Sequence, residues 1–265
     1  MNLEEIEKFY SRTADEIIAD PKAAKVHEEL LAALESGALR AADVANGSWQ
    51  PNRWVKHAIL CGFRRTSVAK VIGPGYPFFD KTGFPPRSFE LDDSVRMVPG
   101  GTAVRRGAYV AKSVVIMPPA YVNVGAFVDE GTMVDSHALV GSCAQIGRRV
   151  HLSAAAQIGG VLEPAGALPV IIEDDAFVGG LCGVFEGVVV RERAVLAPGV
   201  LLTASTIIMD LVNDLQISGE VPIGAVVVPG SRPSRTPGIQ LYAPCIVKYR
   251  DSKTDAATAL EEALR

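Results

Sequence analysis

The chain has 265 residues, with 26 basic against 30 acidic side chains, a net charge of −4, 25 glycines, 17 prolines and only 6 % aromatic residues. That length supplies one large domain or two modest ones, the mild acidity argues against a nucleic-acid surface, and the lack of any stretch of about 18 residues free of charge and turn residues argues against a helical membrane span. The acidic start MNLEEIEKFYSR has no apolar core of a secretory signal. Cys61, Cys143, Cys182 and Cys245 show no C-x-x-C spacing and read as reduced thiols of a cytoplasmic protein.

Residues 1 to about 70 read as helical. Lys22–Leu39 places Val26, Leu30, Leu31 and Leu34 at helical spacing, with Gly37 as a C-terminal stop. A second helix over Asn52–Arg65 carries Trp54, Val55, Ala58, Ile59 and Phe63 as its apolar stripe, with Pro51 near its start. Both stripes read as core-facing. Residues 71–95, rich in Gly, Pro and Phe, read as a linker.

The middle of the chain repeats every six residues. Val104, Val110, Ile116, Val122, Val128, Val134, Val140, Ile146, Leu152 and Ile158 are all aliphatic. After an interruption at Gly159–Ile171 the step resumes at Ile172, Val178, Val184, Val190, Leu196, Leu202 and Ile208. Two places earlier the side chain is small, as in Ala108, Ala126, Thr132, Ala144, Ala176 and Cys182. A period of six is not helical. It is the mark of a parallel β-helix in which three repeats make one triangular coil. Similarity to known hexapeptide proteins implies a left-handed winding. A column of Val, Ile and Leu leaves little room for rings, which matches the low aromatic content. The interruption at 159–171 is too long for a turn and should project as a loop, where function tends to sit; a closing lid is one expectation for it. A second break at 209–220 precedes a partial coil with Val221 and Val227, and Thr254–Arg265 reads as a closing helix. The expected organisation is 1–95 helical domain and linker, 96–230 β-helix, 231–265 C-terminal segment.

Such prisms pack side by side as trimers with clefts between subunits. A zinc site would need three imidazoles, but only His137 and His151 lie on the coils, 14 apart rather than 18, so no metal is expected. The first 95 residues hold no G-x-G-x-x-G, which argues against a nucleotidyltransferase. An acyl-CoA transferase is the class left.

Tyr121–Asp135, YVNVGAFVDEGTMVD, resembles the signature of the tetrahydrodipicolinate N-succinyltransferases. VGSCAQIG (140–147), VHLS (150–153), IGGVLEP (158–164), SGALRAAD (36–43) and the tryptophans Trp49 and Trp54 are similar to further blocks of that family. The resemblance implies a left-handed β-helix homotrimer with a helical N-terminal domain. It implies acyl transfer from acyl-CoA, with succinyl-CoA as family donor, to the amine of ring-opened tetrahydrodipicolinate, with no bound cofactor. The family's substrate arginine and catalytic aspartate fall on Arg96 and Asp135; a basic residue near the coenzyme A phosphates falls on Arg235, and Ala204 and Ser205 are expected along the coenzyme A channel. The reaction needs a base for the amine proton, backbone N–H donors for the thioester oxygen and cations for a dicarboxylate.

Departures share a direction. Where the family reads approximately GARSEVVEG this chain has GGLCGVFEG (179–187), so an arginine has become Leu181 and a catalytic glutamate Gly183; Glu186 remains. STRIYD has become STIIMD (205–210), which puts Ile207 at an arginine position, and a family tryptophan is His137, a second candidate for base function. Three readings stand: a tetrahydrodipicolinate N-succinyltransferase; a specialised paralogue that acetylates the same or a related amino acid, as in a lysine-derived (tabtoxin-like) toxin pathway; and a non-catalytic hexapeptide scaffold.

Overall fold

A computed structural model describes residues 1–71 and 78–251. Four helices open the chain: α1 (Leu3–Tyr10), α2 (Ala14–Ala19), α3 (Ala23–Glu35) and α4 (Arg53–Arg65). Asn2 and Glu5 form a reciprocal cap on α1, and Thr13 and Glu16 do the same on α2, which satisfies N–H groups that those short helices leave open. Val26, Leu30, Leu31 and Leu34 of α3 meet Val55, Ala58 and Ile59 of α4 in one buried cluster. Gly37 follows α3 at φ +74°, where a Cβ would lie 2.9 Å from the Tyr109 ring.

The first 70 residues are not wholly helical. Ala42–Ala45 pairs antiparallel with Ser48–Pro51. Asn46 and Gly47, at φ 52° and 75°, form the tight turn with two left-handed residues that matches the twist of paired strands. The segment read as a linker also contains structure. Phe78–Lys81 pairs with Val68–Val71, and Leu91–Asp93 makes one 3-10 turn.

From Arg96 the chain winds as a left-handed parallel β-helix with three faces. On the first, Tyr109–Val110, Phe127–Val128, Gln145–Ile146, Ile171–Ile172, Val189–Val190 and Glu220–Val221 stack in register. On the second stand Arg96–Met97, Val115–Ile116, Met133–Val134, His151–Leu152, Phe177–Val178, Val195–Leu196 and Ala225–Val228. The third holds Ala103–Val104, Tyr121–Val122, Leu139–Val140, Gln157–Ile158, Gly183–Val184 and Leu201–Leu202. Every aliphatic residue of the six-step series is buried, and up to Leu202 each is the inward member of its pair, whereas Ile208 opens a hairpin strand. Each stabilises the column by about 1.5–3 kcal/mol before chain entropy is counted. The corners turn on a left-handed residue three places before it, among them Gly107, Gly125, His137, Cys143, Ala155 and Leu181.

The helical region lies on the first face. Trp49 Nε1 donates to Glu173 at 2.8 Å, Arg40 Nε donates to Gln145 at 3.0 Å, and the Arg40 guanidinium sits 3.8 Å over Phe127. The insertion after Ile158 is packed rather than projecting. Leu162 joins the α3–α4 cluster, and Lys56 of α4, wholly buried, donates to the carbonyls of Pro164 at 3.2 Å and Ala167 at 2.7 Å. The second break is a hairpin, Ile208–Asp210 with Leu215–Ile217. Its turn is tied by Asp210, which accepts from Val212 N–H, Asn213 and the Tyr249 hydroxyl. Cys245–Tyr249 runs antiparallel to Ala225–Val228 and closes the second face. The helix expected over 254–265 lies outside the described residues. Among the described residues the four cysteines are free thiols, and no helix is long and apolar enough to cross a membrane.

Candidate active site

Asp135 follows the inward Val134 at the corner between the second and third faces. Its backbone N–H donates to Leu152 at 2.9 Å, and its Oδ1 accepts from Ser136 N–H at 2.7 Å. The half-buried carboxylate is thereby oriented, and Oδ2 has no hydrogen bond among the described residues. His137 stands two residues on, exposed, at φ +62°. Its carbonyl accepts from Gln157 Nε2 at 3.1 Å, so its backbone is pinned. His151 faces outward from the second face, in a different column from His137.

The other expected residues lie on other coils. Coils stack about 4.8 Å apart. Arg96, exposed, pairs with Val115 and so stands two coils below Met133 and the Asp135 corner, about 10 Å along the axis. Ala204 and Ser205 form an exposed turn after Leu201–Leu202, three coils above Asp135 and on the far corner of the third face, about 14 Å along the axis. Arg235 is exposed in the turn between Ser231–Pro233 and Gln240–Tyr242. Asp135 and His137 are therefore neighbours, as are Ala204 and Ser205. One chain does not bring the two groups, Arg96 and Arg235 to a single point.

Between those groups the third face carries its most distinctive feature. Gly183 occupies an outward position, and a Cβ there would lie 2.5 Å from the Phe185 ring and 2.9 Å from Leu201. A Cβ on Gly159, one coil below, would lie 2.6 Å from the same ring. The ring of Phe185 thus covers two glycines. Leu181, at the adjacent corner, is 71 % exposed and Leu201 is 49 % exposed. Above them, Leu201 N–H donates to the Tyr242 hydroxyl at 2.6 Å, and Glu186 accepts from Ala204 N–H at 3.3 Å. Sequence reasoning missed Phe185 and Tyr242. Phe185 had a signal, because it is the one aromatic residue at the step after an inward position of the six-residue series. Tyr242 lies outside the repeat and had none.

Residues 3–64 match the family profile described as the tetrahydrodipicolinate N-succinyltransferase N-terminal domain, and residues 169–204 match that of the hexapeptide repeat of succinyl-transferase. A 2,3,4,5-tetrahydropyridine-2,6-dicarboxylate N-succinyltransferase of Azoarcus sp. is 50 % identical over 242 residues, 89 % of this chain and 88 % of that one. The chain belongs to the tetrahydrodipicolinate N-succinyltransferase family. A namesake from Acinetobacter baylyi is 45 % identical over 98 % of this chain and 97 % of its own. Among solved structures, a Campylobacter jejuni protein titled a putative 2,3,4,5-tetrahydropyridine-2-carboxylate N-succinyltransferase superposes with a TM-score of 0.52 at 15 % identity, over 83 % of this chain and 62 % of that one, which is a likeness of fold.

Proposed function

We propose that this chain is an acyl-CoA-dependent N-acyltransferase acting on tetrahydrodipicolinate in its ring-opened 2-amino-6-oxopimelate form, with succinyl-CoA as donor. The likeness to the Azoarcus enzyme along nearly the whole of both chains carries this reading. Asp135 accepts the amine proton as nitrogen attacks the thioester carbon; the C–N bond forms, the C–S bond breaks, and the thiolate leaves to be protonated as free coenzyme A. His137 lies close enough in sequence to share the proton. Arg96 clamps a substrate carboxylate, Ala204 and Ser205 border the coenzyme A arm, and Arg235 meets its phosphates. These groups are spread along the prism in one chain. A homotrimer, with Arg96, Asp135 and the 204–205 turn meeting across subunit clefts, brings them within reach of one extended acyl-CoA. The chain works in the cytoplasm.

The ring over Gly183 favours a second reading of the donor. An apolar wall of Leu181, Phe185 and Leu201 offers no cation to a succinyl carboxylate and suits an acetyl group, in primary lysine synthesis or in a specialised pathway. The deciding experiment follows release of coenzyme A thiol from succinyl-CoA and acetyl-CoA side by side, with enzymatically made tetrahydrodipicolinate. Faster turnover with succinyl-CoA establishes the first reading, and faster turnover with acetyl-CoA the second. No turnover with either, despite coenzyme A binding, overturns both in favour of a scaffold.

A further inference from the structure

A groove of about 530 Å³ opens between α2, α4, the Phe78–Lys81 strand and the insertion at 159–170. Its walls differ in charge. His57 and Arg64 come from α4 and Lys81 from the strand, while Glu163 comes from the insertion; Leu60 and Phe63 supply apolar surface between them. Glu163 is exposed and makes no hydrogen bond or ion pair among the described residues. Among the described residues Arg64 pairs with Asp15 alone, at 3.0 Å, and those side chains are 57 % and 90 % exposed, a pairing that contributes little and yields readily to a better partner.

Hydrogen bonds tie the elements around the groove. Lys56, one turn before Leu60 on α4, fixes the insertion through the Pro164 and Ala167 carbonyls. Lys81 Nζ donates to Thr66 at 2.7 Å, and His57 Nε2 lies 3.3 Å from the Arg12 carbonyl. Glu163 makes no ion pair with Arg64 or Lys81 among the described residues, so both signs stay open to another molecule. They leave complementary sites for a molecule that carries both signs, with an aliphatic portion against Leu60 and Phe63.

We propose that this groove binds a free α-amino acid with an aliphatic side chain, its ammonium toward Glu163 and its carboxylate toward Arg64 and Lys81. The site is separate from Arg96, Asp135 and the 204–205 turn. Its place against the insertion puts the ligand between the two elements that Lys56 joins.

The test is isothermal titration of the full-length protein with L-leucine, 3-methylbutylamine, which lacks the carboxylate, and 4-methylpentanoate, which lacks the amine. Saturable binding of L-leucine, with both analogues at least tenfold weaker, is expected. Glu163→Gln and Arg64→Gln, both at exposed positions, are each expected to weaken L-leucine tenfold or more with unchanged melting temperature, while Arg96→Ala leaves it unaltered. Equal binding of either analogue, L-leucine affinity unchanged in both groove variants, its loss in Arg96→Ala, or no binding of L-leucine at all would overturn the proposal.

Discussion

Asp135 combines an oriented Oδ1 with an Oδ2 that has no partner among the described residues, which is the state a proton acceptor needs. Asp135→Asn keeps the Ser136 contact and removes the basicity. Steady-state assays should then show kcat lower by about 10²–10⁴-fold with little change in KM. Retention of kcat would shift the base to His137. Gly183 and Phe185 act as a pair. Gly183→Glu alone forces a side chain into the ring of Phe185, which costs about 1–3 kcal/mol of stability by overpacking. Adding Phe185→Val removes the ring contact; the 2.9 Å approach to Leu201 remains, at the end of a half-exposed side chain that can turn aside. The double variant is expected to recover the parent melting temperature and to raise the ratio of succinyl-CoA to acetyl-CoA turnover by at least tenfold. Elsewhere in the molecule, His27 is wholly buried between α3 and α4, with Nε2 2.9 Å from the Gly83 carbonyl and no partner for Nδ1. Burial holds its pKa below the usual imidazole value, despite the Gly83 bond. The folded state therefore binds fewer protons than the unfolded chain, and its stability is complete above about pH 6.5 and falls as pH drops through that value. Melting temperatures between pH 8 and 5 should decline, and His27→Gln should flatten that decline.

At the scale of elements, the insertion at 159–170 illustrates what a pattern reports and what it omits. Periodicity located its ends to within a residue, because Ile158 and Ile172 must both point inward. It said nothing of where the intervening residues go. Their position depends on Lys56, 108 residues from its Pro164 contact, whose buried ammonium meets carbonyls rather than a carboxylate. A lysine within an apolar helical stripe carries no sequence mark of that role. The Asn46–Gly47 turn was legible, since that dipeptide favours a hairpin, but the helical stripes on either side masked it. The β-helix, by contrast, was readable throughout because its packing is local and repeated. The position of Asp135 was readable from the repeat, as the residue after the inward Val134, and its proposed role from the family resemblance alone, whereas Tyr242 is brought to Leu201 by a C-terminal hairpin that no period describes. Lys56→Met should leave the Ala167 carbonyl unsatisfied at a cost of about 1–3 kcal/mol, while the Pro164 carbonyl keeps its bond from Ala167 N–H. Limited proteolysis is expected to cut that variant within 159–170 while the parent resists; equal resistance would show that Leu162 packing alone holds the insertion.

For the whole molecule, the three sides of the prism have different fates. The first is covered by the chain's own helical region. The corner between the first and second carries ion pairs, with Arg149 holding Asp175 through two bonds of 2.7 Å and Arg191 bridging Glu173 and Glu220 at 2.9 and 2.8 Å, a surface suited to water. The third presents Tyr121, Leu139 and Gln157 half-buried and Leu201 exposed, without charge. In the homotrimer proposed above, this apolar side, next to the corner that bears Asp135, is the surface that would receive another copy. Three such contacts would close a ring with each Asp135 beside a neighbour's third face. Leu139→Asp buries a carboxylate in that contact but points away from the inward column, so it should leave the fold intact. Light scattering is expected to show three times the 28.1 kDa chain mass for the parent and for Arg149→Ala, and a single chain for Leu139→Asp. Acyl transfer should be lost with the trimer. A monomeric Leu139→Asp variant that kept full activity would mean that one chain alone completes the site, against the wide spacing of Arg96, Asp135 and Ala204 along its coils.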